Sequence, residues 1–403
     1  MRTYTSRFTS SLIILALMGT LFSTSGCKKA RPPSESSESA TLSGGAGTPG
    51  SQDVIRIGEV GSMTGSEATF GISTHMGISL AIKQINAAGG VKGKKLEVLT
   101  LDDQGKPEEA ATAVTKLITQ NQVAAILGEV ASSRSIAMAP IAQGHKVPMI
   151  TPSSTNPRVT EQGDYIFRVC FIDPFQGTVM AKFAAESLKV KKVAILKDVK
   201  NDYSVGLAKY FTETFIKLGG EILVEQSFSS GDIDFKSQLT SIRAKKPEAI
   251  FIPGYYTEVG LIARQARELG LTVPLMGGDG WDSPKLKEIG GVALNNSYYS
   301  NHYSAEDKSP EVQGFITEFQ KAFHVIPDGM AAMGYDAAKV LADSMNRAKS
   351  LNAQDVRDAI AATKNYQGVT GKITLDEKRN AIKSAVVLKV ENGEARYQQT
   401  INP

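Results

Sequence analysis

Residues 193–224 read VAILKDVKNDYSVGLAKYFTETFIKLGGEILV. Val193-Ala194-Ile195-Leu196 is a short apolar run of strand type, and residues 203–218 carry a helical period. Leu218-Gly219-Gly220 supplies a stop, because glycine accepts the left-handed backbone on which helices end, and Ile222-Leu223-Val224 opens a second strand. A strand, a crossover helix and a strand make the βαβ unit of parallel sheets. Downstream the alternation continues with strands at Ala249-Ile250-Phe251-Ile252 and Leu275-Met276 and helices near 235–245 and 257–269. Upstream an equivalent series begins after Asp53. Its strands are Val54-Ile55-Arg56-Ile57-Gly58, Leu96-Glu97-Val98-Leu99, Ala124-Ala125-Ile126-Leu127 and Pro148-Met149-Ile150-Thr151. Ile78, Ile82 and Ile85 form one apolar stripe that ends at Ala88-Gly89-Gly90, and Pro107 opens a helix carrying Val114, Leu117 and Ile118. Two successive series predict an α/β chain with two similar lobes. The last hundred residues hold helices around 311–323, 331–348 and 353–362 but strands only near 370–375 and 384–390, too little for a third lobe.

The composition agrees. Of 403 residues, 41% are hydrophobic and 21% charged, enough apolar material for a core and far from a collagen-like, disulfide-built or disordered chain. A net charge of +4 without clustered basic residues gives no case for nucleic acid. None of the four histidines has metal-ligand spacing, and each reads as a scattered surface residue. No G-x-S-x-G elbow, Walker A loop or G-x-G-x-x-G fingerprint occurs. Catalytic signals are therefore weak throughout, and no catalytic residue, metal or cofactor is expected. An exported α/β hydrolase is a weaker alternative.

Arg2 and Arg7 precede the apolar run 12–18, too short to span a membrane, and small residues then lead to Cys27. Thr24-Ser25-Gly26-Cys27 resembles the lipobox of bacterial lipoproteins, with Thr24 where Leu is usual. The resemblance implies a signal peptide over 1–26 and a lipid-bearing Cys27. Residues 28–52 contain 13 Ser, Gly or Pro and no aromatic, so 27–52 is expected to be a lipidated, disordered tether. As a flexible coil it reaches about 25–30 Å. With Cys27 lipidated, Cys170 has no disulfide partner in the chain and reads as a buried, inert thiol.

Ligands of open α/β sheets bind beyond the carboxyl ends of the strands. In the first series these ends lead to Val130-Ala131-Ser132-Ser133 and to Pro152-Ser153-Ser154-Thr155-Asn156-Pro157. In the second they lead to Asp202-Tyr203, to Gly254-Tyr255-Tyr256 and to Gly277-Gly278-Asp279-Gly280-Trp281-Asp282. Hydroxyls and a helix N-terminus suit a carboxylate, while aromatics and acids suit an ammonium, so a zwitterion would satisfy both. Each element also has a plainer reading: Ser132 and Ser133 as N-caps, Tyr203 and Tyr255 as core or rim aromatics, Asp279 as a turn acid.

Several motifs together resemble the branched-chain amino acid binding proteins of ABC transporters. They are Ile57-Gly58 through Thr64-Gly65, Phe70-Gly71, the run 85–93 (INAAGGVKG), Asp102-Asp103, Met149 to Pro152, Arg264 to Arg267 and Gly277 to Asp282. The resemblance spans about residues 53–395. It implies a periplasmic-binding-protein type I fold, two Rossmann-like lobes with parallel-rich sheets joined by a three-strand hinge. The lobes would be 53–172 plus 302–383 and 173–301 plus 384–403.

It also implies roles. Ser132 and the Thr155 backbone would hold an α-carboxylate. The Ser153 carbonyl, the Thr155 hydroxyl and Asp279 would take the ammonium. Phe70, Val130, Ala131 and Tyr255 would line the side-chain pocket, with Ser154 beside it and Tyr203 closing from the second lobe. The chain departs from the family in Asp279, shorter than the Glu of some relatives, in the Ser153-Ser154 pair, and in lacking the paired cysteines some members carry, with Ala131 at one such place. The expected function is capture of an amino acid, branched-chain or aliphatic, by closure of lobes that otherwise touch little, and delivery to an ABC permease. The protein would be a monomer outside the cytoplasm, held to a membrane by lipid. The alternatives within binding are a sensor subunit and a ligand that is an amide, urea or aromatic acid.

Overall fold

The computed structural model describes residues 54–403; the expected signal peptide over 1–26 and the expected lipidated tether over 27–52 lie outside them. In the first lobe β1 (Val54–Gly61), α1 (Ala68–Ala87), β2 (Lys95–Asp102), α2 (Pro107–Thr119), β3 (Ala125–Leu127), α3 (Ser132–Gly144), β4 (Met149–Thr151), α4 (Arg158–Glu161) and β5 (Ile166–Arg168) build a five-stranded sheet of order β2-β1-β3-β4-β5. Every pair in it is parallel. The second lobe runs α5 (Asp173–Lys182), β6 (Lys192–Asp198), α6 (Asp202–Lys217), β7 (Glu221–Phe228), α7 (Lys236–Ala244), β8 (Ala249–Phe251), α8 (Tyr256–Glu268), β9 (Leu275–Gly277), α9 (Pro284–Gly290) and β10 (Ser297–Asn301). Its parallel part has the order β7-β6-β8-β9-β10, the first lobe's order shifted by five strands. The two Gly-terminated series are thus two copies of one winding, each with a crevice between its first and third strands, where helices leave to opposite faces.

The C-terminal quarter divides between the lobes. Helices α10 (Pro310–Phe323), α11 (Gly329–Arg347) and α12 (Ala353–Ala361) and the small sheet of β11 (Tyr366–Gly368), β12 (Gly371–Leu375) and β13 (Ala381–Ile382) stay with the first lobe. Strands β14 (Ala385–Glu391) and β15 (Glu394–Ile401) extend the second sheet in antiparallel fashion. The chain therefore passes between the sheets three times, after β5, after β10 and between β13 and β14.

Two apolar layers sandwich the first sheet. Ile57, Ile78, Ala81, Met333 and Leu341 fill the side of α1 and α11, and Val114, Leu117, Met138 and Ile126 the side of α2 and α3. In the second lobe Phe211, Phe215 and Phe251 stack over the sheet, with ring centroids 4.0 and 5.4 Å apart. Gly77 lets α1 meet α11 backbone to backbone: a Cβ there would lie 1.9 Å from the Ala331 carbonyl oxygen. The strand expected near 370–375 is β12, whereas α4, α5, α9, β10, β11, β13 and β15 have no counterpart in the expected pattern. Strand β15 is mostly exposed and shows no alternation, and β10 (SYYSN) is polar although wholly buried.

Candidate functional site

The carboxyl ends of β3 and β4 place the first lobe's site residues. Ser132 begins α3, whose first amides have no partner in the helix's own ladder. Its Oγ accepts the Asn156 amide at 3.1 Å, so the hydroxyl proton and the helix N-terminus both remain for a ligand. The loop 152–157 is held rigid from below. Fully buried Arg168 of β5 donates to the Ser154 carbonyl and, at 2.8 Å, to the Asn156 carbonyl. Burial lowers the pKa of this guanidinium. Ser153 is thereby turned toward the second lobe.

There the loop after β9 presents Asp279. Its Oδ1 accepts from Gln176 Nε2 at 2.7 Å, and its Oδ2 from His302 Nε2 at 3.0 Å and from Ser153 Oγ at 3.3 Å. Gly278 is required for this approach, since a Cβ would fall 2.3 Å from the Tyr203 hydroxyl. The Tyr203 hydroxyl accepts the Gly280 amide at 3.2 Å; its ring stacks on Tyr255, which meets Phe70 edge-on at 5.3 Å.

These side chains enclose one small cavity of about 10 Å³, the room of a single water. Phe70, Val130, Ser132, Ser153, Tyr203, Tyr255 and Asp279 line it, joined by Gly280 and Met330. An amino acid can enter only when the lobes separate. Three expected residues are not on the cavity wall. Ala131 is the buried residue before α3, with its amide donating to Glu129 Oε2 at 2.5 Å. Ser154 is corrected outright: its hydroxyl is turned into the first lobe, 2.7 Å from Ser135 Oγ and 3.0 Å from the Glu129 carbonyl. Thr155 is fully buried, its carbonyl accepting the Asp173 amide at 2.9 Å and its hydroxyl turned to the Asp173 carboxyl.

Three residues at the site escaped sequence reading. Met330 comes from the first turn of α11 and Gln176 from α5, and neither position carries a motif. The third, His302, is corrected from a surface residue to one 4% exposed, stacked on Phe171 at 3.8 Å. Both rings lie in crossings between the lobes, so the hinge touches the Asp279 carboxylate directly. Burial lowers the pKa of His302 despite Asp279. This favours the neutral imidazole, and a carboxylate oxygen opposite Nε2 makes Nε2–H the donor. Cys170 is buried as expected; its Sγ donates to the Ser154 carbonyl at 3.3 Å, and burial pushes the thiol up to about 12.

The expectation that the lobes otherwise touch little is also corrected. Ser133 Oγ accepts the Asp202 amide at 3.0 Å, Asn156 Nδ2 donates to the Asp202 carbonyl at 2.8 Å, and Thr257 Oγ1 donates to the Ser66 carbonyl at 2.7 Å. Thr69 and Ser283 meet hydroxyl to hydroxyl at 2.8 Å. Loop ends on facing lobes thus carry complementary polar groups that bond directly across the cleft in this closed arrangement.

Two parallel-rich lobes, three crossings and a cleft of polar strand ends define a hinged binding protein, and comparison with known proteins agrees. A family model described as periplasmic binding protein matches residues 54–395. The chain belongs to this family. It is 32% identical over 328 residues to the leucine-, isoleucine-, valine-, threonine- and alanine-binding protein of Pseudomonas aeruginosa, covering 81% of this chain and 87% of that one. Among solved structures it resembles a leucine-binding protein, LivK, of Thermotoga maritima at TM-score 0.84 and 42% identity, over 87% of this chain and 99% of that one. The substrate-binding protein LivJ of Streptococcus pneumoniae, in complex with isoleucine, superposes at TM-score 0.83 with 34% identity, over 87% and 100% of the two chains.

Proposed function

We propose that this chain is the extracytoplasmic substrate-binding component of an ABC importer, capturing an aliphatic amino acid, branched-chain foremost, and delivering it to a membrane permease. The observation that carries the reading is the polarity of the cleft. Ser132 at a helix N-terminus stands on one lobe and Asp279, the only charged residue lining the cavity among the described residues, on the other. An α-carboxylate would take the Ser132 hydroxyl and amide and the Thr155 amide. The ammonium would take Asp279, the Ser153 carbonyl and the Thr155 hydroxyl, exchanging neutral donors around the acid for a charge-assisted bond. Phe70, Val130, Tyr255 and Met330 would surround an apolar side chain, with Ala131 behind Val130 and Tyr203 closing over it. The relatives that bind leucine, isoleucine and valine support this choice of ligand.

The moving lobes are taken as 53–172 plus 302–383 and 173–301 plus 384–403, and the protein as a monomer anchored through lipid on Cys27. Incorporation of labelled palmitate that persists in Cys27→Ser would refute the anchor.

Thermal-shift and calorimetric titration with the common amino acids test the main reading, because a ligand held only by the folded state raises its stability. Leucine, isoleucine or valine should stabilise the parent most. Asp279→Asn keeps one acceptor oxygen where Asp279 offers two, to Gln176 and to His302, and removes the charge; it should weaken binding about a hundredfold. Equal affinity in that variant, or no response of the parent to any amino acid, sinks the assignment.

A further inference from the structure

A second cavity, of about 750 Å³, lies apart from the Ser132–Asp279 cleft. Helix α1 and the start of α11 wall it on the first lobe, residues 282–287 and the β14–β15 hairpin on the second, and residues 303–306 of a crossing run along it. Its size is within the range of small-molecule sites. Much of the wall is apolar, including Met76, Phe323 and Leu388, and at its mouth Ile72, Val325 and Ile326 are exposed by 45, 50 and 64%.

Two carboxylates open onto this apolar space. Asp282 accepts from the Gly329 amide at 2.6 Å, Asn301 Nδ2 at 2.9 Å and the Tyr299 hydroxyl at 3.2 Å. Asp328 accepts from Ser73 Oγ at 2.6 Å and the Ala331 amide at 2.9 Å. All five donors are neutral, and among the described residues neither acid forms an ion pair with Lys, Arg or His. The cavity's own cations, Lys287 and Arg396, are already paired with Glu394 and Glu306. Tyr303, 4% exposed, lines the same space with a hydroxyl that has no hydrogen-bond partner. Buried charge needs a counter-charge or a proton. Burial and the neighbouring Asp282 push Asp328 up to about 7.

We propose that this cavity is a second ligand site, which takes a small amine with a hydrocarbon body. Its ammonium would sit beside Asp282 and Asp328 within reach of Tyr303, and its chain would lie along Phe323 toward Ile72. Asp282 belongs to the second lobe and Asp328 to the first, so the occupant bridges the lobes beside the hinge and biases their closure. The inference is independent of which ligand the first cleft takes.

The test is calorimetric and thermal-shift titration of the whole protein with n-hexylamine and phenethylamine, against hexan-1-ol and hexanoate as neutral and anionic counterparts. The amines should stabilise saturably and the counterparts should not. Asp328→Asn should weaken amine binding about tenfold or more. Ile72→Trp, a substitution at an exposed position that fills the mouth, should abolish binding with the melting temperature retained, and Asp279→Asn should leave it intact. Equal stabilisation by hexan-1-ol, no response to either amine, survival of the response in Ile72→Trp, or its loss in Asp279→Asn would each overturn the proposal. The last result would place the amine in the first cleft, whereas failure of the amino acid reading shows as parent protein indifferent to leucine and its relatives.

Discussion

Asp279 gains its place from neighbours far away in the chain. Gln176 from α5, His302 from a crossing and Ser153 from a strand end hold its two oxygens. Because His302 orients the carboxylate, His302→Phe, which keeps a ring against Phe171 but removes the donor, should weaken amino acid binding about tenfold by calorimetry. His302 also bears on acid stability. Its folded pKa lies below the unfolded 6.5, so its contribution is complete above pH 6.5 and is lost as pH falls through the lowered folded value. The acid limb of the melting profile should flatten in the same variant.

Asp173 runs the other way. Fully buried, its carboxyl is pushed by burial up to about 8, against the opposing pull of the Thr155 hydroxyl beside it. An acid raised above its unfolded pKa favours the fold only while protonated, and destabilises it progressively as pH rises from 3.8 toward 8. Asp173→Asn should therefore melt higher than the parent at pH 8, by an amount on the order of 2 kcal/mol, and equal it near pH 4. A lower melting temperature at pH 8 would show the carboxylate to be charged and paired.

Helices α1 and α11 carry much of the first lobe's packing and also supply Phe70 and Met330 to the cleft. Their contact needs Gly77 against the Ala331 carbonyl, with no side chain between. Gly77→Ala should force the helices apart and cost about 1–3 kcal/mol in urea unfolding, because a close-packed interface has no room for one more methyl. A shift of α11 also moves Met330, so the same substitution should alter which aliphatic side chain binds best.

For the molecule as a whole, function depends on a balance between closed and open lobes. The closed arrangement has its own direct bonds, including Ser133 to the Asp202 amide and Thr257 to the Ser66 carbonyl. Arg158 and Asp202 also pair at 2.7 Å, but the pair is largely exposed and contributes little. Removing the first two bonds in a Ser133→Ala, Thr257→Val variant should shift the population toward the open form, seen as a larger radius of gyration in solution scattering that leucine restores. Since the closed state is then less populated, apparent affinity should fall by the same factor. An unchanged radius of gyration would mean that the crossings alone set the angle between the lobes.

What could be read without coordinates was what depends on local order along the chain. Apolar period and glycine stops mark the two βαβ series, and the polar residues after each strand mark where a ligand would lie, because the carboxyl ends of parallel strands must share one edge. Phe70, Val130, Ser132, Ser153, Tyr203, Tyr255 and Asp279 could be singled out on that ground and by family likeness. Folding alone settled which way each side chain turns. Ser153 and Ser154 are neighbours of the same polar type, yet one faces Asp279 and the other is consumed by Ser135 and the Glu129 carbonyl. Gln176, His302 and Met330 reach the site from segments with no local signature, and the cavity beside the hinge joins residues more than 300 positions apart. Those juxtapositions follow from three crossings and the packing of whole lobes, long-range contacts that leave no periodic mark on the chain.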